Sequence, residues 1–282
     1  MKTIQIREFL IGPKRPLAIL CGPCVIESEE HTLMAADELQ KIFRHFPFSF
    51  IFKASYDKAN RSSLHSFRGL GLERGLEILQ RVQNELGLPV VTDVHSPEEA
   101  IVAGNICDMI QIPAFLCRQT DLLVAAASTP ASINVKKGQF LSPWDMKNVV
   151  EKLASSGNEK ILLTDRGTMF GYNNLISDMR AIPIMQTFGY PVCFDASHSV
   201  QLPGALGAAS GGERQFIPTL AKSAIAAGSN ALFIEAHPDP ASAKSDAKTV
   251  LPFSELKTLL AQIEKLYDVI QCLEDTASQP LA

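Results

Sequence analysis

The sequence predicts a (β/α)8 barrel, on three observations along its 282 residues. Eight short apolar runs recur. Each is followed by a stretch whose apolar residues have helical spacing. Most runs end in polar or charged residues. Strands alternating with helices imply a parallel sheet, and eight such units closing on themselves imply a barrel. An open doubly wound sheet is the competing architecture, but no Gly-x-Gly-x-x-Gly turn follows the first run. No repeat, linker or low-complexity tract divides the chain. Residues 1–282 therefore read as one domain: a hairpin cap over about 1–13 and a barrel over about 14–273.

The elements follow in order. Ile4, Ile6, Phe9 and Ile11 alternate weakly before Gly12-Pro13 breaks the run, as a short hairpin would. The first barrel run is Leu17–Cys21, and its helix spans about 29–46, with Leu33, Ala36, Leu39 and Phe43 on one face. The second run, Phe48–Phe52, ends at Lys53, and its helix spans about 72–86. The third, Pro89–Val91, ends in Thr92-Asp93-Val94-His95. Ser96-Pro97-Glu98-Glu99 then supplies a cap, a proline and two acids for a helix start. The fourth, Met109–Ile112, leads through Arg118 into a helix ending near Ala127. The fifth, Ala131–Val135, ends at Lys136-Lys137, and Ser142-Pro143 opens its helix. The sixth, Ile161–Leu163, ends in Thr164-Asp165-Arg166-Gly167, with a helix expected near 176–187. The seventh, Pro191–Phe194, ends in Asp195-Ala-Ser-His198. The eighth, Ala231–Ile234, ends in Glu235-Ala-His237 before a long helix over about 254–273.

Composition narrows the function classes. A net charge of −4 argues against general nucleic-acid binding but permits a local cationic pocket. No apolar run reaches membrane-spanning length. The N-terminal residues lack the long apolar segment of a signal peptide, so a cytoplasmic location is expected. The six cysteines are dispersed, which predicts free thiols. Cys21-Gly-Pro-Cys24 has the spacing of a thioredoxin-type redox pair, but that fold is a shorter domain whose first cysteine opens a helix. Cys21 is expected in the core as a small hydrophobe.

In a barrel, active sites form where strands end. Lys53, Lys58, Arg61, Lys136 and Arg166, with Arg118 as an outer candidate, would then surround a substrate carrying more than one anionic group. Asn60, Ser62 and Ser63 can bind hydroxyls or phosphate. Taken singly, each polar strand end has a plainer role. Residues 53–63 can be a solvated basic loop, Asp93 and Asp165 can cap helices, Lys136 and Lys137 can be solvated, and His198 can be structural. Cys24, His198, Glu235 and Asp246 follow strands one, seven and eight, which are neighbours in a closed barrel. They would suit Fe²⁺, Zn²⁺ or Mn²⁺, although spacing alone does not select this set. Residues 197–212, rich in Gly, Ser and Ala, read as a mobile lid or an ordinary connection.

Six motifs carry a resemblance over about residues 14–270. They are Cys-Gly-Pro-Cys-Val-Ile-Glu-Ser (21–28), Lys-Ala-Ser-Tyr-Asp-Lys-Ala-Asn-Arg-Ser-Ser (53–63) and Thr-Asp-Val-His (92–95). The others are Gln-Ile-Pro-Ala-Phe-Leu-Cys-Arg-Gln-Thr (111–120), Asn-Val-Lys-Lys-Gly-Gln-Phe (134–140) and Asp-Ala-Ser-His-Ser-Val-Gln (195–201). In this combination the chain resembles the 3-deoxy-D-manno-octulosonate 8-phosphate synthase family. The resemblance implies a homotetrameric barrel condensing phosphoenolpyruvate with D-arabinose 5-phosphate for lipopolysaccharide synthesis. It places Lys53, Lys58, Lys136 and Arg166 on phosphoenolpyruvate with Gln111 close by, and Asn60, Arg61 and Ser62 on the sugar phosphate. Arg118 would reach that phosphate from a neighbouring subunit, and Asp93 and His95 would line the reaction site. Cys24, where metal-independent members have asparagine, implies the metal-dependent class with ligands Cys24, His198, Glu235 and Asp246. The nearest rival is the same chemistry on erythrose 4-phosphate, against which the Asn60-Arg61-Ser62-Ser63 run argues. A barrel aldolase or hydrolase and a non-catalytic binding barrel are the remaining alternatives.

Overall fold

The computed structural model describes residues 1–61, 63–205 and 211–277. Eight parallel strands form the barrel: β1 (Ala18–Gly22), β2 (Ser49–Lys53), β3 (Val90–Asp93), β4 (Met109–Ile112), β5 (Ser132–Lys136), β6 (Ile161–Asp165), β7 (Val192–Asp195) and β8 (Ala231–His237). Each pairs with the next, and β8 closes the ring on β1 through Ala231↔Ala18 to Glu235↔Gly22. The helices are α1 (Glu29–Phe43), α2 (Leu72–Leu86), α3 (Pro97–Gly104), α4 (Thr120–Ala127), α5 (Met146–Ser155), α6 (Ala181–Gln186), α7 (Ile217–Ala226) and α8 (Phe253–Ala277).

Local signals explain several boundaries. Ser28 accepts the His31 N–H at 3.1 Å and starts α1, with Glu29 and Glu30 at the positive end of its dipole. Gly87, at φ +69, ends α2 in the left-handed conformation that glycine adopts without strain. Ser96 caps α3 ahead of Pro97.

The strand period of two separates two cores. Ile19, Cys21, Phe50, Phe52, Ile110 and Val135 face the helices. Ala18, Leu20, Ile51, Val91, Met109 and Phe233 face the barrel interior. The expected N-terminal hairpin is present, pairing Ile4–Ile6 with Phe9–Ile11. Its Ile4, Ile6 and Ile11 join the interior cluster and plug the end where the strands begin. Each fully buried isoleucine there contributes about 1.5–3 kcal/mol. The opposite end is left open for chemistry.

The structure corrects some boundaries. Most strands run further than the apolar runs suggest, so Lys53, Asp93, Lys136, Asp165, Asp195 and Glu235 lie within strands. The parallel ladder continues there because backbone pairing is indifferent to side-chain polarity. The helix expected from 176 starts only at Ala181, because Leu175–Ile176 pairs with Thr168–Met169 in a small hairpin. Ser142-Pro143 opens a 3-10 turn before α5 rather than the helix itself. Within the stretch read as a lid or connection, Gln201–Leu202 pairs with Gly211–Gly212, and residues 206–210 lie outside the described residues. Among the described residues, no helix is long and apolar enough to cross a membrane.

Candidate active site

The open end of the barrel holds a cavity of about 740 Å³, within the usual range for a small-molecule site. Its described lining includes seven Lys or Arg residues (Lys53, Lys58, Arg61, Lys136, Arg166, Lys244 and Lys248) against two carboxylates, Asp93 and Asp246. Asn60, His95, Gln111 and His198 also line it. The polar strand ends therefore converge.

The strand period sorts adjacent charges. Lys136 and Arg166 point inward. Lys137 points outward, where Asp165 lies 3.4 Å from its Nζ and the Gly138, Leu141 and Gly167 carbonyls take up its protons. Lys137 and Asp165 are thus a buried structural pair rather than solvated or capping groups.

Inside, the cations are held by defined partners. Lys53 is 1% exposed and donates to Glu235 Oε1 at 2.7 Å and to the Cys24 carbonyl at 2.9 Å. Gly22 allows this arrangement, since a Cβ there would meet the Lys53 carbonyl oxygen at 2.0 Å. Lys136 Nζ lies 2.6 Å from Asp195 Oδ2 and 3.8 Å from the Phe233 ring centre. Lys58 donates to Ser55 Oγ at 2.8 Å and lies 3.4 Å from Asp93 Oδ2. Burial opposes its charge, but surrounding acids outweigh burial and raise its pKa well above the usual value. Arg166 Nη2 donates to Gln201 Oε1 at 2.5 Å, while its buried Nη1 has no acceptor among the described residues. A buried guanidinium nitrogen of this kind calls for an anion.

A hydrogen-bonded row crosses four strands beneath these cations. Asp93 Oδ1 accepts from Gln111 Nε2 at 2.5 Å, and Gln111 Oε1 accepts from Asn134 Nδ2 at 3.0 Å. Asn134 Oδ1 accepts from Thr164 Oγ1 at 2.5 Å. The sequence reading placed Asn134 inside the apolar run 131–135 and named Thr164 only as a strand-end residue, giving neither a site role. Their signal was parity, because Asn134 lies two positions before inward-facing Lys136. Glu99, read only as a helix-start acid, accepts from the His95 N–H at 2.8 Å and the Tyr56 hydroxyl at 2.7 Å. It also lies 3.0 Å from His95 Nδ1. That contact orients the His95 ring by its Nδ1 edge.

The proposed metal ligands meet as well. Ligand atoms of Cys24, Glu235 and Asp246 all lie within 4.8 Å of one another. Cys24 Sγ is 3.1 Å from Asp246 Oδ2, and His198 Nε2 is 3.6 Å from Glu235 Oε1 and from Asp246 Oδ2. Asp195 Oδ2 lies 2.7 Å from His198 Nδ1, which orients the ring with Nε2 toward these groups. Glu235 Oε2 is buried with no hydrogen-bond partner among the described residues. Burial, then Asp246 and Glu235, push the Cys24 thiol well above its usual pKa, an environment that a cation would reverse. The donor set fits a divalent ion. Cys21 faces the helices instead, and burial pushes its thiol up too.

One expected residue does not join the described lining of the cavity, and another cannot be placed against it. Arg118 is exposed and absent from the lining. Ser62 lies outside the described residues. Arg61 lines the cavity but spends its guanidinium on backbone, donating to the Phe67 carbonyl at 3.0 Å and the Lys244 carbonyl at 3.4 Å.

A sequence model described as the DAHP synthetase I family matches residues 2–272. The chain is 64% identical over 271 residues to a protein from Protochlamydia amoebophila named 2-dehydro-3-deoxyphosphooctonate aldolase, covering 96% of this chain and 98% of that one. Proteins of the same name from Trichlorobacter lovleyi and Geobacter sulfurreducens are 53% and 50% identical, each over 270 residues, 96% of this chain and 99% of theirs.

Proposed function

The chain belongs to the DAHP synthetase I family, and from that premise we propose that it condenses phosphoenolpyruvate with D-arabinose 5-phosphate. The products are 3-deoxy-D-manno-octulosonate 8-phosphate and inorganic phosphate. The octonate name shared by relatives at 50–64% identity favours this sugar over erythrose 4-phosphate. The observation that carries the reading is the cavity lined by seven cations and two carboxylates, with the Arg166 Nη1 atom inside it unpartnered among the described residues. Two anionic substrates need such a surplus of positive charge.

Lys53, Lys58, Lys136 and Arg166 bind the phosphate and carboxylate of phosphoenolpyruvate. Asn60, Arg61 and Ser62 bind the sugar phosphate, Arg61 exchanging its backbone carbonyls for substrate. Holding both anions removes much of the entropic barrier to their meeting. The vinyl carbon of phosphoenolpyruvate attacks the aldehyde carbon. Carbon 2 becomes oxocarbenium-like, and the lysines and Arg166 stabilise the phosphate and carboxylate charges around it. Water adds to carbon 2, and phosphate leaves by carbon–oxygen cleavage. His95 Nε2 and Asp93 are positioned for proton transfer at the sugar, with Asp93 held by Lys58 and Gln111. Cys24, His198, Glu235 and Asp246 would hold Fe²⁺, Zn²⁺ or Mn²⁺, which would supply Lewis-acid polarisation.

This reading takes residues 1–282 as one domain and the assembly as a homotetramer. Phe115, which lines the cavity, and Phe140, Trp144, Met169, Phe170 and Tyr172, in the segments after β5 and β6, are exposed. The Met169 N–H donates to the Gln139 carbonyl at 2.9 Å, which brings their loops together. Such an apolar patch suits a subunit contact. Arg118, three residues from Phe115, is then free to act on a neighbour's sugar phosphate.

The test is phosphate release from phosphoenolpyruvate with arabinose 5-phosphate or erythrose 4-phosphate, before and after chelation and with divalent metal restored. Release with arabinose 5-phosphate that disappears and returns is the expected result. Release only with erythrose 4-phosphate overturns the sugar assignment. Indifference to chelator overturns an essential metal.

A further inference from the structure

The segment after β8 carries Asp246 at φ +50, a left-handed backbone that aspartate adopts at lower cost than most non-glycine residues but that still needs support from its neighbours. Several contacts surround the strained residue. Cys24 Sγ lies 3.0 Å from the Ser245 hydroxyl. Arg61 donates to the Lys244 carbonyl at 3.4 Å, and Arg214 donates to the Ala247 carbonyl. A further contact comes from Glu27, three residues beyond Cys24 in the first βα loop. Glu27 Oε1 accepts the Lys244 N–H at 2.9 Å and lies 3.3 Å from His237 Nε2. One carboxylate therefore holds the residues just before Asp246 by a hydrogen bond and lies against His237 at the start of the segment.

Glu27, His31 and His237 also bring ligand atoms within 4.8 Å of one another, as a second cation centre would. However, the Asp239 N–H donates to His237 Nδ1 at 3.0 Å, and Glu27 Oε1 is already engaged by the Lys244 N–H at 2.9 Å. Both contacts tie the cluster to the backbone of the segment after β8. His31 stacks on the His237 ring with centroids 4.7 Å apart and covers it from α1.

We propose that Glu27 is a positioning residue that clamps the His237–Asp246 segment onto the first βα loop, presenting Asp246 to Cys24 in ligating geometry. The inference rests on the reading of Cys24, His198, Glu235 and Asp246 as a metal centre. One loop supplies both a ligand and the clamp for another ligand 222 residues away.

The test titrates Co²⁺ into chelator-stripped wild type, Glu27→Ala, Glu27→Gln and Glu30→Ala, reading thiolate-to-cobalt charge-transfer absorption and the melting temperature of the metal-free proteins. Wild type binds one equivalent per chain. Glu27→Ala weakens binding by about 10–100-fold, the usual effect of removing an outer partner of a metal ligand. Glu27→Gln keeps an acceptor for the Lys244 N–H and recovers most of the affinity. Glu30→Ala, on the exposed face of α1, matches wild type. Glu27→Ser, too short to reach Lys244, carries the alanine expectation if the alanine variant does not fold. Wild-type affinity in Glu27→Ala or Glu27→Ser overturns the clamp. So do two equivalents in wild type with one lost on substitution, which would make the cluster a cation site. A wild type with no thiolate band overturns the metal reading itself.

Discussion

Replacing Asn134 with leucine cuts the polar row in the middle. Asn134 and Thr164 are both fully buried. The substitution keeps the side chain's approximate volume but strands Gln111 Oε1 and Thr164 Oγ1. Each stranded buried group costs about 1–3 kcal/mol. The leucine side chain returns about 1.5–3 kcal/mol through apolar burial, leaving a net loss of roughly 0.5–3 kcal/mol. With about 2.1 cal/mol/K of unfolding entropy per residue, a chain of 282 residues would melt roughly 1–5 °C lower. Gln111 would also lose the bond that orients it toward Asp93, and a misplacement of this kind costs up to about 100-fold in turnover. The assay is urea unfolding of wild type, Asn134→Leu, Thr164→Val and the double variant, with turnover measured on each. Removing both partners together should cost at least about 1 kcal/mol less than the two single losses added. A loss under about 0.5 kcal/mol for Asn134→Leu, or strict additivity in the cycle, would refute the row as a coupled network.

Further expectations concern the cations and the backbone. Burial opposes the Asp93 charge, but Lys58, then Lys53 and Lys136, outweigh it and hold the carboxyl well below its usual 3.8. A depressed carboxyl stabilises the fold above its unfolded pKa, and that stability is lost as pH falls through the folded value. Lys58→Met weakens the depression, so acid unfolding followed by fluorescence should begin at higher pH; an unchanged midpoint counts against the pairing. Arg166→Lys removes the fork while keeping a charge, and kcat/KM for phosphoenolpyruvate should fall about 10–100-fold, the worth of a charged hydrogen bond. An unchanged value in steady-state kinetics would remove Arg166 from the substrate. Gly22→Ala puts a methyl 2.0 Å from the Lys53 carbonyl oxygen, so it should destabilise by several kcal/mol, about 3 or more. A melting temperature equal to wild type would show that β1 and β2 can separate without penalty.

Much of the site was legible because a strand end is marked in the chain itself. An apolar run followed by Lys53, Asp93, Lys136 or Glu235 announces where a buried ladder meets a polar rim. The adjacent pairs were harder. Lys136 and Lys137 look alike in sequence, and Asp165 and Arg166 are both charged residues at one strand end. Only the facing of each strand makes one member of each pair a cavity cation and sends the other outward. The helix expected from 176 failed because Leu175–Ile176 found a strand partner at Thr168–Met169, a pairing that periodicity does not encode.

The eight-fold alternation of runs and the 3.6-residue spacing of the helices are local properties. They follow from which residues share a face one turn or two positions apart, so composition and order suffice for the (β/α)8 barrel and its hairpin plug. The site is not local. Cys24 meets Asp246 across 222 positions, Lys53 meets Glu235 across 182, and Glu27 meets Lys244 across 217. Those distances depend on how the ring closes, on the inward facing of each strand, and on a left-handed turn at Asp246. Closure brings the first and last βα loops side by side, and that tertiary event turns separate polar residues into one electrostatic environment.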